Sequence, residues 1–329
     1  MALYFKKTTY IERRLVMKKR LVSVLAVATL LGTLVTGCGQ AASSEAAPAN
    51  EEAVQEATEA ETTEAPAEEA KTEDGDKVIR VGATPVPHAE ILDNIVKDVL
   101  AEDGWELETV VFQDYVLPNT SLEAEELDAN YFQTLAYMNS QNEDGGLHLV
   151  AVAGVHIEPM GIYSDKYKSL EELPDGASIG VPNGPENEDR GIDLLVQKGL
   201  LVSNGGFGTD PNYTEDSLNN DKEANPHGYV ITPLDAAQLA LSLPDLDAAA
   251  INGNYALEAG LPATYPALGI EEFNEETSIK RTNFLVVKEG NEESEKTKAL
   301  IKALQSDKVQ SYIEDTYKGA VITSYIDPQ

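Results

Sequence analysis

Past residue 77 arginine occurs at only three positions, 80, 190 and 281. Of these, Arg190 alone follows a turn rich in Pro and Gly (Pro182, Asn183, Gly184, Pro185), between an expected strand and an expected helix. Such an order presents a helix N-terminus to a cleft, and a guanidinium there can take a carboxylate through two parallel hydrogen bonds. The competing use is a salt bridge to its neighbours Glu186, Glu188 or Asp189, a kind of pair that contributes little at a surface. Asn252 closes a strand in the run Ile251, Asn252, Gly253, Asn254, Tyr255. Its amide can hold an ammonium or a carboxylate, or it can cap the following helix, a role that Asn254 fits at least as well. Asn283 opens a further strand, either as a buried amide that needs partners or as a turn residue.

The aromatic residues supply an apolar counterpart. They make up 6% of the sequence, yet Tyr115, Tyr131, Phe132 and Tyr137 all fall within residues 112–138, beside a polar turn read at Asp128 to Asn130. That grouping is either a cleft wall able to stack and hydrogen-bond or plain core. An enzyme is not expected. His88, His148, His156 and His227 lack metal-ligand spacing, and no nucleophile motif or phosphate loop is present. Carboxylates are too common in this chain to single out a pair. No cofactor and no metal are expected.

These residues need elements to hold them. Residues 78–83 alternate as a strand, and residues 89–102 follow with Ile91, Ile95, Val96 and Val99 at helical spacing. Strands are expected at 107–112, within 147–163, and at 178–181, 248–252 and 283–287. Helices are expected at 191–198, 233–243, from about Tyr255, and across 293–317. Residues 201–227 read as loop, with a glycine cluster at 205–208 that lacks dinucleotide-binding spacing. The alternation of strand and helix predicts an α/β fold.

The first 77 residues have a different character. Lys18, Lys19 and Arg20 precede an apolar run at 21–35, which is short for a membrane span and suits a signal peptide. Leu34 to Gly37 lead into Cys38 as in a bacterial lipobox, and Cys38 is the only cysteine, so no disulfide forms within one chain. Residues 1–37 are therefore expected to be removed, with Met17 the expected start, and Cys38 to be lipidated at the outer face of a cell membrane. Residues 38–77, mostly Ala, Glu, Thr, Ser and Pro, read as a disordered acidic tether. The net charge is -33, and residues 1–37 carry seven basic groups against one acidic, so the mature chain is near -39. So acidic a surface disfavours nucleic acid and anionic lipid as partners, while leaving room for a small zwitterion held locally.

Several motifs occur in one order: 112–119, 128–133, 158–164, 181–187 followed by Arg190, and 251–255. With them the chain resembles the lipoproteins of methionine uptake systems, the NlpA or MetQ-type substrate-binding proteins of ABC importers, over essentially residues 78–325. The resemblance implies a two-lobed α/β fold of the periplasmic-binding-protein type (type II) with its ligand cleft between the lobes, lobe 1 being 78–163 and 283–329 and lobe 2 being 164–282. It implies a monomer that captures an amino acid, methionine foremost, and delivers it to an ABC permease and its ATPase. Carried over, Tyr115, Phe132 and Tyr137 line the side-chain pocket, with Tyr131 facing away. Arg190 clamps the carboxylate, and Asn252 and Asn283 fix the amino-acid backbone. The chain departs after the aromatic Phe: the family commonly has His two residues on, followed by a basic residue and Pro, where this chain has Thr134, Leu135 and Ala136. That change leaves room for a related amino acid or a methionine-containing dipeptide. The alternative class is a surface adhesin on the same fold.

Overall fold

The computed structural model describes residues 77–203, 215–264 and 266–328. The expected signal peptide, Cys38, nearly all of the expected tether and the glycine cluster at 205–208 lie outside the described residues. Among the described residues, no helix is long and apolar enough to cross a membrane.

The first strand follows from its alternation. In β1 (Val78–Ala83), Ile79, Val81 and Ala83 are fully buried while Arg80 is exposed. It pairs in parallel with β2 (Glu106–Val111) and β3 (Ala129–Thr134). The connection from β1 to β2 starts with two wide helical turns, Pro85–Ala89 and Leu92–Val96, and ends as α1 (Lys97–Glu102). α2 (Leu117–Glu123) and α3 (Leu135–Gly145) flank β3 in sequence. β4 (Leu149–Ile157) completes the first passage through this sheet. The expected turn at Asp128 to Asn130 is instead the entry to β3: Asn130 is fully buried there, its amide bonded to Pro118 and Asn119.

The chain then crosses to a second sheet through Glu158, Pro159 and Met160. β5 (Gly161–Tyr163) pairs with β8 (Ala248–Ile251) and β9 (Gly269–Ile270), and β6 (Ser178–Pro182) pairs with β7 (Val230–Leu234) and β8. The first crossing therefore falls ahead of the boundary expected after residue 163, because β5 finds its hydrogen bonds in the second sheet. The expected helix at 233–243 is not formed. Residues 230–234 are β7, whose backbone pairs with β6, and only a short 3-10 turn follows at Ala236–Gln238.

Between β6 and β7 lies α4, which runs Pro185–Gln197 and so begins six residues before the expected start. Gly184 takes a left-handed φ of 87° that bends the chain, and Pro185 is set for the first helical position. Arg190 thus sits inside the helix rather than at its mouth. α5 (Gly253–Glu258) follows β8, and α6 (Glu275–Arg281) leads back to the first sheet. There β10 (Thr282–Lys288) inserts antiparallel between β3 and β4, and α7 (Glu295–Leu304), α8 (Asp307–Tyr317) and β11 (Ile322–Thr323) complete the described chain. The strand orders are β11-β4-β10-β3-β1-β2 and β7-β6-β8-β5-β9.

Each sheet is covered on both faces, as parallel strands require. In the first, Ile79, Val81, Leu285 and Val287 pack with Leu100, Leu300, Leu304 and Ile313, while Phe284 and Val286 meet Leu122 and Met138. In the second, Ile179, Val181 and Ala250 pack with Ile192 and Leu195, and Ala249 and Ile251 face Leu239, Leu243 and Tyr255. The fold is a two-lobed α/β architecture.

Candidate functional site

Where the two sheets approach, a cavity is lined from both sides. Each element contributes for a local reason. Pairing of β3 with β10 slips between Tyr131 and Gln133, leaving Phe132 as the extra residue of a bulge. A bulge re-aims a side chain: Phe132 lines the cavity, while Tyr131 is fully buried in the core with its hydroxyl on His156 Nδ1. Thr134 is the N-cap of α3, its Oγ1 accepting from the Tyr137 N–H at 3.3 Å, so the cap places Tyr137 in the first helical turn. Tyr115 packs against Phe132, Tyr137 and Tyr255, with ring centroids 5.9, 5.6 and 5.0 Å away. Its hydroxyl donates to Asn254 Oδ1 at 2.6 Å, joining a loop of the first lobe to the second. Burial pushes that hydroxyl far above its ordinary range, so it remains a donor.

The charged groups sit on the crossings. Glu158 and Glu271 each lie on a segment between the sheets, and the segments bond directly: Glu271 N–H donates to Met160 O at 2.9 Å, and Met160 N–H to Glu271 Oε2 at 3.0 Å. Arg190 spans both. Its Nε and Nη2 donate to Glu271, Nη2 at 2.6 Å from Oε2, and Nη2 also donates to Glu158 O at 2.8 Å. The salt bridge weighed against a ligand contact thus exists, but to a residue 81 positions away; Glu186 instead pairs with Arg281 at 2.7 Å. Among the described residues Nη1 carries no bond, and Arg190 lines the cavity. Burial opposes its charge, but Glu271 and Glu158 outweigh burial and hold the guanidinium above its ordinary value. Glu271 is held low in turn: burial opposes its ionisation, and Arg190 and Arg281 prevail.

Glu158 is the main feature that sequence reasoning missed as a site residue. It is 5% exposed, and its Oε1 accepts from His156 Nε2 at 2.6 Å and lies 3.1 Å from His88 Nε2. Burial works against its charge, yet the two histidines hold the carboxyl well below the usual carboxylate range. Burial in turn lowers His156, with Glu158 working the other way. Thr84 Oγ1 and Tyr131 OH engage the Nδ1 atoms of His88 and His156, and Asn283 Oδ1 lies 3.2 Å from His88 Nε2. Histidines that looked scattered in sequence are thus adjacent. The donor atoms of His88, His156 and Glu158 lie within 4.8 Å of one another, close enough for a metal ion. Hydrogen bonds already account for both ring nitrogens of each histidine. Oε2 of Glu158 has no bond among the described residues, and Glu158 lines the cavity.

Of the residues expected at the site, Tyr115, Phe132, Thr134, Tyr137, Arg190, Asn252 and Asn283 all line this one cavity. Neither Asn252 nor Asn254 caps α5 with its side chain. Asn252 Nδ2 donates to Asn187 Oδ1 at 2.9 Å, and Asn252 Oδ1 and Asn254 Nδ2 are buried without partners. Gly253 between them is required by packing: a Cβ there would lie 2.7 Å from Glu158 Cβ and 2.9 Å from Pro159 O. Glu158, Asn187 and Gln133, which also lines the cavity, each belong to a motif visible in the sequence, but nothing there gave them a role at the site. The arrangement sets an unpaired guanidinium edge and an ionised carboxylate into a cleft with an aromatic wall. It is complementary to a small zwitterion with an apolar side chain.

The family model described as NlpA lipoprotein matches residues 79–325. The chain is similar to the methionine-binding lipoprotein MetQ of Bacillus subtilis (strain 168), 37% identical over 253 residues, which cover 76% of this chain and 89% of that one. Among solved structures, a nutrient-binding protein from Burkholderia cenocepacia bound to methionine aligns with a TM-score of 0.67 at 36% identity, covering 75% of this chain and 99% of that one. An ABC transporter periplasmic substrate-binding protein from Coxiella burnetii aligns with a TM-score of 0.67 at 34% identity, covering 75% and 100%.

Proposed function

Because the chain belongs to the NlpA lipoprotein family, we propose that it is an extracytoplasmic solute-binding protein, lipid-anchored through Cys38, that captures methionine and delivers it to an ABC permease and its ATPase. The observation that carries this reading is that Arg190 and Glu158 line one cavity together with Tyr115, Phe132 and Tyr137. An α-amino acid brings a carboxylate, an ammonium and a side chain, and the cavity holds a partner for each. Arg190 Nη1 takes the carboxylate, Glu158 Oε2 and Asn252 Oδ1 take the ammonium, and the aromatic wall encloses the side chain. The methionine in the Burkholderia relative and the name of the Bacillus relative support that choice of ligand. Residues 38–77 would tether the folded unit to the lipid, and closure of the two lobes on the ligand would be the binding step. No step in this function makes or breaks a covalent bond.

Calorimetric titration of the purified chain with the common amino acids and short methionine peptides tests the proposal. Methionine is expected to give the largest heat. A different amino acid or a dipeptide in its place would reassign the ligand. No heat with any of them, from protein that mass spectrometry shows to carry no ligand, would end the transport reading and leave adhesion.

A further inference from the structure

Asn254 is 2% exposed, lines the cavity and stands in the first turn of α5 without capping it. Its Oδ1 is taken by the Tyr115 hydroxyl at 2.6 Å, which leaves Nδ2 as the outward edge of the amide. That nitrogen is buried and has no partner. Buried donors are almost always satisfied, so an unsatisfied one in a cavity wall asks for an acceptor that the protein does not supply. Two positions earlier Asn252 shows the opposite edge: Nδ2 is taken by Asn187, and Oδ1 is the buried atom without a partner. The two asparagines therefore present one donor and one acceptor to the same cavity as Arg190 and Glu158. The charges of Glu158 and Arg190 both act on the Tyr115 hydroxyl, which places the Asn254 amide in their neighbourhood.

We propose that Asn254 Nδ2 donates to the ligand's α-carboxylate, taking one oxygen while Arg190 takes the other, and that Tyr115 is the positioning residue that turns the amide this way. The inference rests on the amino-acid reading above and sharpens its ligand class. Two donors of separate origin, one cationic and one neutral, match a free carboxylate. They select an amino acid with an unblocked carboxyl group over its esters and amides, in which one oxygen is replaced.

The test is calorimetry on the full chain. Each of the twenty common L-amino acids is titrated into the wild type, and the tightest binder is carried through Asn254→Ala, Asn254→Asp and Asn254→Thr. Loss of one hydrogen bond to a charged group predicts that Asn254→Ala weakens binding by roughly ten- to a hundredfold. Asn254→Asp should weaken it further, because a carboxylate would then face the ligand's carboxylate, and Asn254→Thr should recover part of the loss through its hydroxyl. The methyl ester of the same amino acid should bind the wild type more weakly and lose less on Asn254→Ala. Should Asn254→Asp fail to fold, the Ala and Thr variants decide the matter, because they introduce no charge. Asn254→Ala binding as tightly as the wild type, or Asn254→Asp binding more tightly, overturns the assignment of Asn254 alone. A wild type that binds none of the amino acids overturns both this assignment and the function on which it rests.

Discussion

Replacing Glu158 by glutamine separates its charge from its shape. In the native site Oε1 accepts from His156 Nε2 at 2.6 Å and lies 3.1 Å from His88 Nε2, and Oε2 is the atom available to a ligand. Glutamine is nearly isosteric, and its carbonyl oxygen can keep both histidine bonds. Its amide nitrogen must then occupy the place of Oε2, so a donor faces the ligand's ammonium where an anion stood. A hydrogen bond to a charged group contributes about 1.5–3 kcal/mol, so its loss predicts binding weaker by roughly ten- to two-hundredfold. Donor-to-donor repulsion pushes toward the upper end of that range. Isothermal titration calorimetry with methionine measures the effect, and a thermal melt of the same sample reports whether the histidine network has held. N-acetylmethionine, which has no ammonium, should discriminate far less between the two proteins. A dissociation constant within twofold of wild type, with the melt unchanged, would show that Glu158 meets no ammonium and is a structural anion only.

Arg190→Ala should lower stability by about 3–5 kcal/mol, since it leaves Glu271 buried without its closest partner, and should also abolish methionine heat. Arg281→Ala should destabilise yet retain binding, because Arg281 does not line the cavity; denaturant melts and calorimetry on both variants separate the roles. Gly253→Ala forces a methyl to 2.7 Å from Glu158 Cβ, so a loss of about 1–3 kcal/mol together with weakened binding is expected, and a raised melting temperature would contradict it. Acid should destabilise the fold in two stages. His156 sits below its ordinary 6.5 and Glu158 below the carboxylate range, so below pH 6.5, and again below about 4.3, the unfolded chain binds protons that the folded one refuses, and stability falls with pH. A melting temperature level from pH 7 to 4 would refute that sign.

Much of the fold is local and could be read from the sequence. The alternation in residues 78–83 and the periodicity in 293–317 translate directly into β1 and the α7 and α8 pair, because each buries a face that its own pattern defines. Residues 233–243 could not be read in this way: a run of Ala and Leu has helical propensity, but β6 offers a partner for residues 230–234 and the sheet wins. Likewise, Glu158 and Pro159 interrupt the apolar run between β4 and β5, but only the pairing of β5 with β8 shows that the chain changes sheets there. The candidate site divides along the same line. Tyr115, Phe132 and Tyr137 stood out by crowding, and Arg190 by scarcity. Glu158 did not, being one of 57 acidic residues, and only the approach of His88 from a distant part of the chain, beside the neighbouring His156, distinguishes it. Asn254 looked like a helix cap because asparagine usually is one there; what sets it apart is the Tyr115 hydroxyl, 139 positions away.

Thr134 ties these observations together. Read against the family it marks a missing imidazole; in the fold it caps α3 through Tyr137 N–H. Tyr137 in turn donates its hydroxyl to Tyr115 O at 3.1 Å, and Tyr115 donates to Asn254 Oδ1 at 2.6 Å. Thr134, where the expected imidazole is missing, is therefore the first link of a hydrogen-bonded chain running from β3 through the aromatic wall to the Asn254 amide, the group proposed to meet the ligand's carboxylate. A side chain at 134 that caps less well would loosen Tyr137, and with it the backbone of Tyr115 and the aim of Asn254. Substitution here acts on the apolar pocket and the polar anchor together, so a change in side-chain preference and a change in carboxylate affinity should appear in the same variant.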